Sequence, residues 1–136
     1  MKQYVLIVDD DTDDVAFMQE VIEETNFPLH SRFVADGHEA IAFLNECQDD
    51  APNLIMLDVY MPKIGGLEVL KYIRSTPRFK HIKVIMFSTG GADDHEVVEF
   101  NQAGADDFFV KPDTYGKLRD IFTDIKTRYT QQVINS

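Results

Sequence analysis

Five short apolar runs separated by longer amphipathic stretches predict an α/β domain, a parallel sheet covered by helices on both faces. The runs are apolar at nearly every position, as strands buried on both sides must be; a half-exposed strand would alternate. Each stretch between them carries apolar residues at helical spacing and is long enough for a right-handed crossover.

The elements follow in order. Tyr4-Val5-Leu6-Ile7-Val8 is the first strand. Asp11, Thr12 and Asp13 then supply capping chemistry, and Val15, Met18, Val21 and Ile22 mark a helix to about residue 26. Pro28 interrupts it; residues 31–35 read as a short second strand, with Asp36-Gly37 as the turn. A second helix carries Ala40, Ile41, Phe43 and Leu44. Leu54-Ile55-Met56-Leu57 is the third strand and ends at Asp58, after which Gly65-Gly66 opens a helix with Leu67, Val69, Leu70 and Ile73 on its apolar side. Residues 75–80 contain Pro77 and read as a loop. Val84-Ile85-Met86-Phe87 is the fourth strand, followed by Ser88-Thr89-Gly90-Gly91 and a weakly apolar helix over 93–102. Gly104 ends that helix, and Phe108-Phe109-Val110 is the fifth strand. Leu118, Ile121, Phe122, Ile125 and Tyr129 give the last helix the clearest period; the polar residues 130–136 are expected to fray.

Composition narrows the function. A chain of 136 residues holds one domain with a real core, and ten Phe and five Tyr help to fill it. The 24 Asp and Glu against 13 Lys and Arg, a formal net charge of -11, disfavour nucleic acid and favour cation binding or a basic partner. The single Cys47 excludes an internal disulfide and suits a reducing cytosol. No apolar run reaches the length of a membrane span or a signal peptide, so a cytoplasmic protein is expected, with no membrane partner.

In an open parallel sheet, ligands sit outside the carboxyl ends of the strands. The residues there are Asp9 and Asp10 after the first run, Asp58 after the third, Ser88 and Thr89 after the fourth, and Lys111 and Pro112 after the fifth. Taken singly, each has an ordinary structural role: an acid or a hydroxyl caps a helix, and a lysine is a solvated charge. Independent caps have no reason to place an acid pair, a lone acid, a hydroxyl and a lysine at one sheet edge. Carboxylates about 5 Å apart repel by roughly 3 kcal/mol per pair at an effective dielectric near 20, more than one lysine offsets across three of them. A hard divalent cation with oxygen ligands, Mg²⁺ above all, can offset it. Beside such an ion Asp58 is a poised oxygen nucleophile, and the set suits phosphoryl transfer onto a carboxylate.

Ile7-Val8-Asp9-Asp10, Leu57-Asp58 with Met61-Pro62 and Gly66, Phe87-Ser88-Thr89 and Val110-Lys111-Pro112 together resemble the receiver domains of two-component response regulators. The likeness runs over nearly the whole chain, and residues 75–82 look like the small single-domain regulators associated with phytochromes. It implies a flavodoxin-like three-layer sandwich with strand order 2-1-3-4-5, a receiver domain over residues 1–129, a short polar tail over 130–136 and no effector domain. It also implies that Asp58 is the phosphoacceptor in a phosphorelay. Asp10 and Asp58 would ligate Mg²⁺ with the backbone carbonyl of Tyr60, and Asp9 would act largely through water. Ser88 and Lys111 would contact the phosphoryl group, the Lys111–Pro112 bond would be cis, and Ser88 with Phe108 would form the switch. Plain core packing explains Phe108 equally well. The implied donor is a histidine kinase or phosphotransfer protein. The implied output is a change in protein–protein interaction, with a homodimer through the fourth helix, fifth strand and fifth helix as one form of it. Tyr115 and Tyr129 could serve that interface or finish the core. Gly65, Gly90 and Asp113 depart from the family's usual residues, and the four histidines are expected at the surface.

Two rival functions are weaker. A phosphatase with an aspartyl nucleophile generally needs a second Asp two residues further on, where Tyr60 stands. An interaction module without phosphorylation would be expected to have lost acids or the lysine. The chain therefore reads as no enzyme beyond its own phosphoryl uptake and a slow dephosphorylation, which Tyr60 and Gly90 would shield from water.

Overall fold

In a computed structural model, which describes residues 3–90 and 93–130, five parallel strands alternate with five helices. The strands are β1 (Tyr4–Val8), β2 (His30–Val34), β3 (Leu54–Asp58), β4 (Lys83–Ser88) and β5 (Asp107–Val110), in sheet order β2-β1-β3-β4-β5. The helices are α1 (Thr12–Glu24), α2 (Gly37–Glu46), α3 (Gly66–Ser75), α4 (Asp94–Gln102) and α5 (Tyr115–Tyr129). This is the flavodoxin-like order that the motifs implied. The strand-order reversal at β1 and β3 puts a crevice above their carboxyl ends.

The apolar strands hide a two-residue alternation between two cores. Leu6, Val8, Ile55, Leu57, Val84 and Met86 face α2, α3 and α4, where Leu44, Leu70 and Phe100 meet them. Val5, Ile7, Leu54, Met56, Ile85 and Phe87 face α1 and α5, against Met18, Val21, Phe122 and Ile125. Counted on by two, Asp9, Asp58 and Lys111 fall on the α1–α5 side, and Ser88 and Phe108 on the α4 side. The backbone bonds of Asp9 N to Val34 O and Lys111 N to Ser88 O, 3.1 and 2.7 Å, extend the ladders far enough for this count to hold.

Several sequence expectations shift. The second strand begins one residue early, at His30, in register with Tyr4. The first helix ends at Glu24, because Asn26 takes a left-handed φ of 51°. The expected loop over 75–80 contains a 3-10 turn, Pro77–Phe79, which buries Phe79 completely beneath α3. The Lys111–Pro112 bond, expected to be cis, is trans, as are all the described peptide bonds. Strand parity and the bond to Ser88 already aim the Lys111 side chain inward. Tyr115 and Tyr129 both pack on the α1–α5 core and donate to Glu24 and Asp107, so they complete the fold. The four histidines are exposed, as expected. The tail expected to fray lies, from residue 131 onward, outside the described residues, as does Gly91. No described helix is long and apolar enough to cross a membrane.

Candidate functional site

The first turn of α1 explains which acids are free for chemistry. Its N-cap is Asp11, whose carboxylate accepts from the backbone N–H groups of Asp13 and Asp14. Asp9 accepts from Asp11 N at 2.9 Å and is otherwise turned into the crevice, 4% exposed. The capping role that would have made Asp9 or Asp10 ordinary is thus taken by their neighbour. Asp58, also 4% exposed, ends β3. The chain can turn away behind it because Gly66 lacks a side chain: a Cβ there would sit 2.4 Å from the Asp58 carbonyl oxygen.

Carboxylate oxygens of Asp9, Asp10 and Asp58 lie within 4.8 Å of one another, with Asp10 open to solvent. Three hard oxygen donors at that spacing fit a divalent cation such as Mg²⁺. Lys111, only 13% exposed at its side chain, reaches the same crevice. Its Nζ stands 2.9 Å from Asp9 Oδ2, 3.2 Å from Asp58 Oδ2 and 2.9 Å from Asp14 Oδ2.

Burial controls the electrostatics. It pushes the Asp58 carboxyl up to about 6, against the pull of Lys111, and the Asp9 charge adds to the rise. Asp9 is raised by burial as well, opposed by its bond from Asp11 and by Lys111. Burial alone would depress the Lys111 ammonium, but its bonds to Asp14 and Asp9 and the nearby carboxylate charges outweigh this and raise it.

Around the crevice the expected residues divide. Thr89, Tyr60 and Lys111 line it with Asp10, Asp14 and Asp58. Ser88 is completely buried beneath the rim, its hydroxyl directed at the Thr89 carbonyl, 3.5 Å away. Phe108 packs half-buried against Phe100 of α4, ring centroids 5.5 Å apart, so its resting contact is a core contact. Tyr60 bonds Asp58 Oδ1 through its backbone N–H at 3.4 Å, and its exposed ring donates from the hydroxyl to Glu96 Oε2 at 2.8 Å. That bond ties the β3–α3 loop to the first turn of α4.

Asp14 and Glu96 were not singled out by sequence reasoning. Asp14 had a signal: it stands four residues before Met18 and seven before Val21, on the buried stripe of α1. Glu96 had none, because its partner is 36 residues away.

The chain belongs to the response regulator receiver domain family, whose model matches residues 5–123; such domains are the signalling modules of two-component systems. It is 32% identical over 100 residues to the response regulator Rcp1 of Synechocystis, covering 71% of this chain and 68% of that protein. It is 36% identical over 109 residues to the transcriptional regulatory protein CpxR of Klebsiella pneumoniae, covering 79% of this chain. It spans 42% of CpxR, about two-fifths of the length of such transcriptional regulators. A crystal structure of the phosphorylated cyanobacterial phytochrome response regulator RcpA superposes with a TM-score of 0.85 at 27% identity, over 97% of this chain and 96% of that one. The Mn²⁺-bound form of Rcp1 gives 0.83 at 27% identity, over 95% of each chain.

Proposed function

We propose that this receiver accepts a phosphoryl group on Asp58 from a histidine kinase or phosphotransfer protein, and signals through the change in interactions that follows. The observation that carries this reading is the pairing of a buried Asp58 with the Lys111 ammonium at 3.2 Å, inside the Asp9, Asp10 and Asp58 oxygen cluster.

An Asp58 oxygen attacks phosphorus in line with the departing atom. The bond from phosphorus to the donor's imidazole nitrogen breaks, and the imidazole leaves with the electron pair and takes up a proton. With a small acyl phosphate as donor, the leaving group is a carboxylate. Mg²⁺ held by Asp10, Asp58 and the Tyr60 carbonyl, with Asp9 acting largely through water, would offset the charge on the equatorial oxygens. Lys111 would supply its ammonium to the phosphoryl group from beside Asp58. Ser88 would contribute its hydroxyl once it turns from the Thr89 carbonyl, and a repacking of Phe108, on the same side of the sheet, would couple the site to α4. Tyr60, held over the crevice by Glu96, shields the new anhydride-like bond from water and favours a lifetime of minutes to hours. The same tyrosine fills the position where an aspartyl phosphatase keeps its general acid, so turnover of external phosphate esters is not expected.

The α4–β5–α5 face is the proposed output surface, for a second copy or a relay partner. Val98 and Val110 are its exposed apolar residues, 49% and 48%. Mass spectrometry after incubation with Mg²⁺ and a small acyl phosphate tests the central reading. One added phosphoryl group, mapped to Asp58, is expected; an unmodified chain, or an adduct that survives Asp58→Asn, overturns it.

A further inference from the structure

We infer that Asp14 is a positioning residue that restrains Lys111 in the resting protein and slows phosphoryl uptake; this rests on the phosphoacceptor reading of Asp58. Three carboxylates surround the Lys111 ammonium, Asp9 Oδ2 at 2.9 Å, Asp14 Oδ2 at 2.9 Å and Asp58 Oδ2 at 3.2 Å, and its hydrogen bonds run to Asp14 and Asp58. The shortest contacts go to Asp9 and Asp14, and the longest goes to the residue that reacts. Lys111 is therefore shared between the first turn of α1 and the nucleophile, with the shorter hydrogen bond going to Asp14.

Asp14 differs from the other two acids in what can neutralise it. Asp9 and Asp58 belong to the oxygen cluster suited to a divalent cation; Asp14 does not. Among the hydrogen bonds and ion pairs of the described residues, Lys111 is the one cation on its carboxylate. Its backbone is fixed as well, since Asp14 N donates to the Asp11 cap at 3.1 Å. A metal that draws Asp9 and Asp58 to itself would thus leave the Asp14–Lys111 pair intact. An incoming phosphoryl group must then compete with Asp14 for the ammonium, at a site that it also makes more negative.

Net charge alone could mimic this effect, and Asp13 provides the control. It is exposed one residue away on the same turn, and its carboxylate makes no bond to Lys111. The experiment compares wild type, Asp14→Asn, Asp14→Glu and Asp13→Asn at saturating Mg²⁺, reading fluoroberyllate affinity and the uptake rate from a small acyl phosphate. Mg²⁺ affinity is measured in parallel. Asp14→Asn is expected to tighten fluoroberyllate and speed uptake about fivefold or more, the scale of one charge-assisted hydrogen bond, with Mg²⁺ affinity unchanged or weaker. Asp13→Asn is expected to stay within about twofold of wild type, and Asp14→Glu, which keeps the acceptor, to restore wild-type values. A merely structural role for Asp14 would weaken both ligands together. Asp14→Asn matching Asp13→Asn, or binding fluoroberyllate more weakly than wild type, overturns the inference and leaves the Asp58 reading standing. No adduct on the wild-type chain overturns both.

Discussion

Two ion-pair systems at opposite ends of the sheet follow different rules. At the amino end, the Arg74 guanidinium donates to Asp106 Oδ2 and to the carbonyls of Gly104 and Ile82, each at 2.9 Å. Asp106 in turn accepts from Val84 N at 2.8 Å. Arg74 and, at 3.9 Å, Lys83 meet one anion, and the remaining guanidinium donors find backbone oxygens, so the cluster is complete without a ligand. At the carboxyl end, Lys111 faces Asp9, Asp14 and Asp58, and Asp10 stands beside them. There the anions outnumber the cation, and two of them are almost wholly buried. A balanced pair, here part-exposed, fastens elements together; an unbalanced buried one retains a charge that only a bound ion or a chemical change can relieve.

Removing each cation tests the contrast most severely. Lys111→Ala should slow phosphoryl uptake by about 10²–10³-fold, the usual loss for one donor to a developing anion. Arg74→Ala should leave uptake per folded molecule unchanged, as timed by mass spectrometry on both variants. The same Arg74→Ala should lower unfolding free energy by about 1–2 kcal/mol in urea titrations, because it frees two carbonyls of the β4 and β5 approaches and leaves Asp106 with only Lys83, at 3.9 Å, as a cation.

Removing each anion should act with opposite signs. The Asp58 carboxyl lies at about 6 in the folded protein, above its ordinary 3.8. Between those values the folded state holds more proton than the unfolded chain, so stability falls as pH rises through the window. Asp58→Asn should therefore stabilise the metal-free protein by about 1–2 kcal/mol near neutral pH, with the gain fading below about pH 4. Asp106→Asn should instead lose about 1–2 kcal/mol at neutral pH, since it leaves Arg74 without its anion. Thermal melts in chelator, across pH, separate the two. The smallest effect concerns the rim: Tyr60→Ala should shorten the phosphoryl lifetime about severalfold, and Glu96→Gln by less, because it weakens one exposed hydrogen bond.

Much of the site was legible because the sheet writes its chemistry at regular places. Asp58 and Lys111 could be found by reading one step past each apolar run, and the choice of a hard cation followed from the count of acids. Asp14 was missed because a helix first turn rich in acids looks like capping, which Asp11 indeed performs. The trans Lys111–Pro112 bond corrected an expectation carried by resemblance alone. Phe79 was hidden in an apparent loop, since a single 3-10 turn is too short to show a period.

The sequence by itself determined the α/β class, the order of elements and the residues that meet at the carboxyl edge, because period and parity are local properties of the chain. Which acids remain free and which partner each charge takes were decided only by tertiary structure. Those outcomes depend on distances between segments far apart in sequence: Lys111 to Asp14 across 97 residues, and Tyr60 to Glu96 across 36. No local pattern encodes such separations; they are fixed when both cores close and α1, β5 and the loops between them are brought to one crevice.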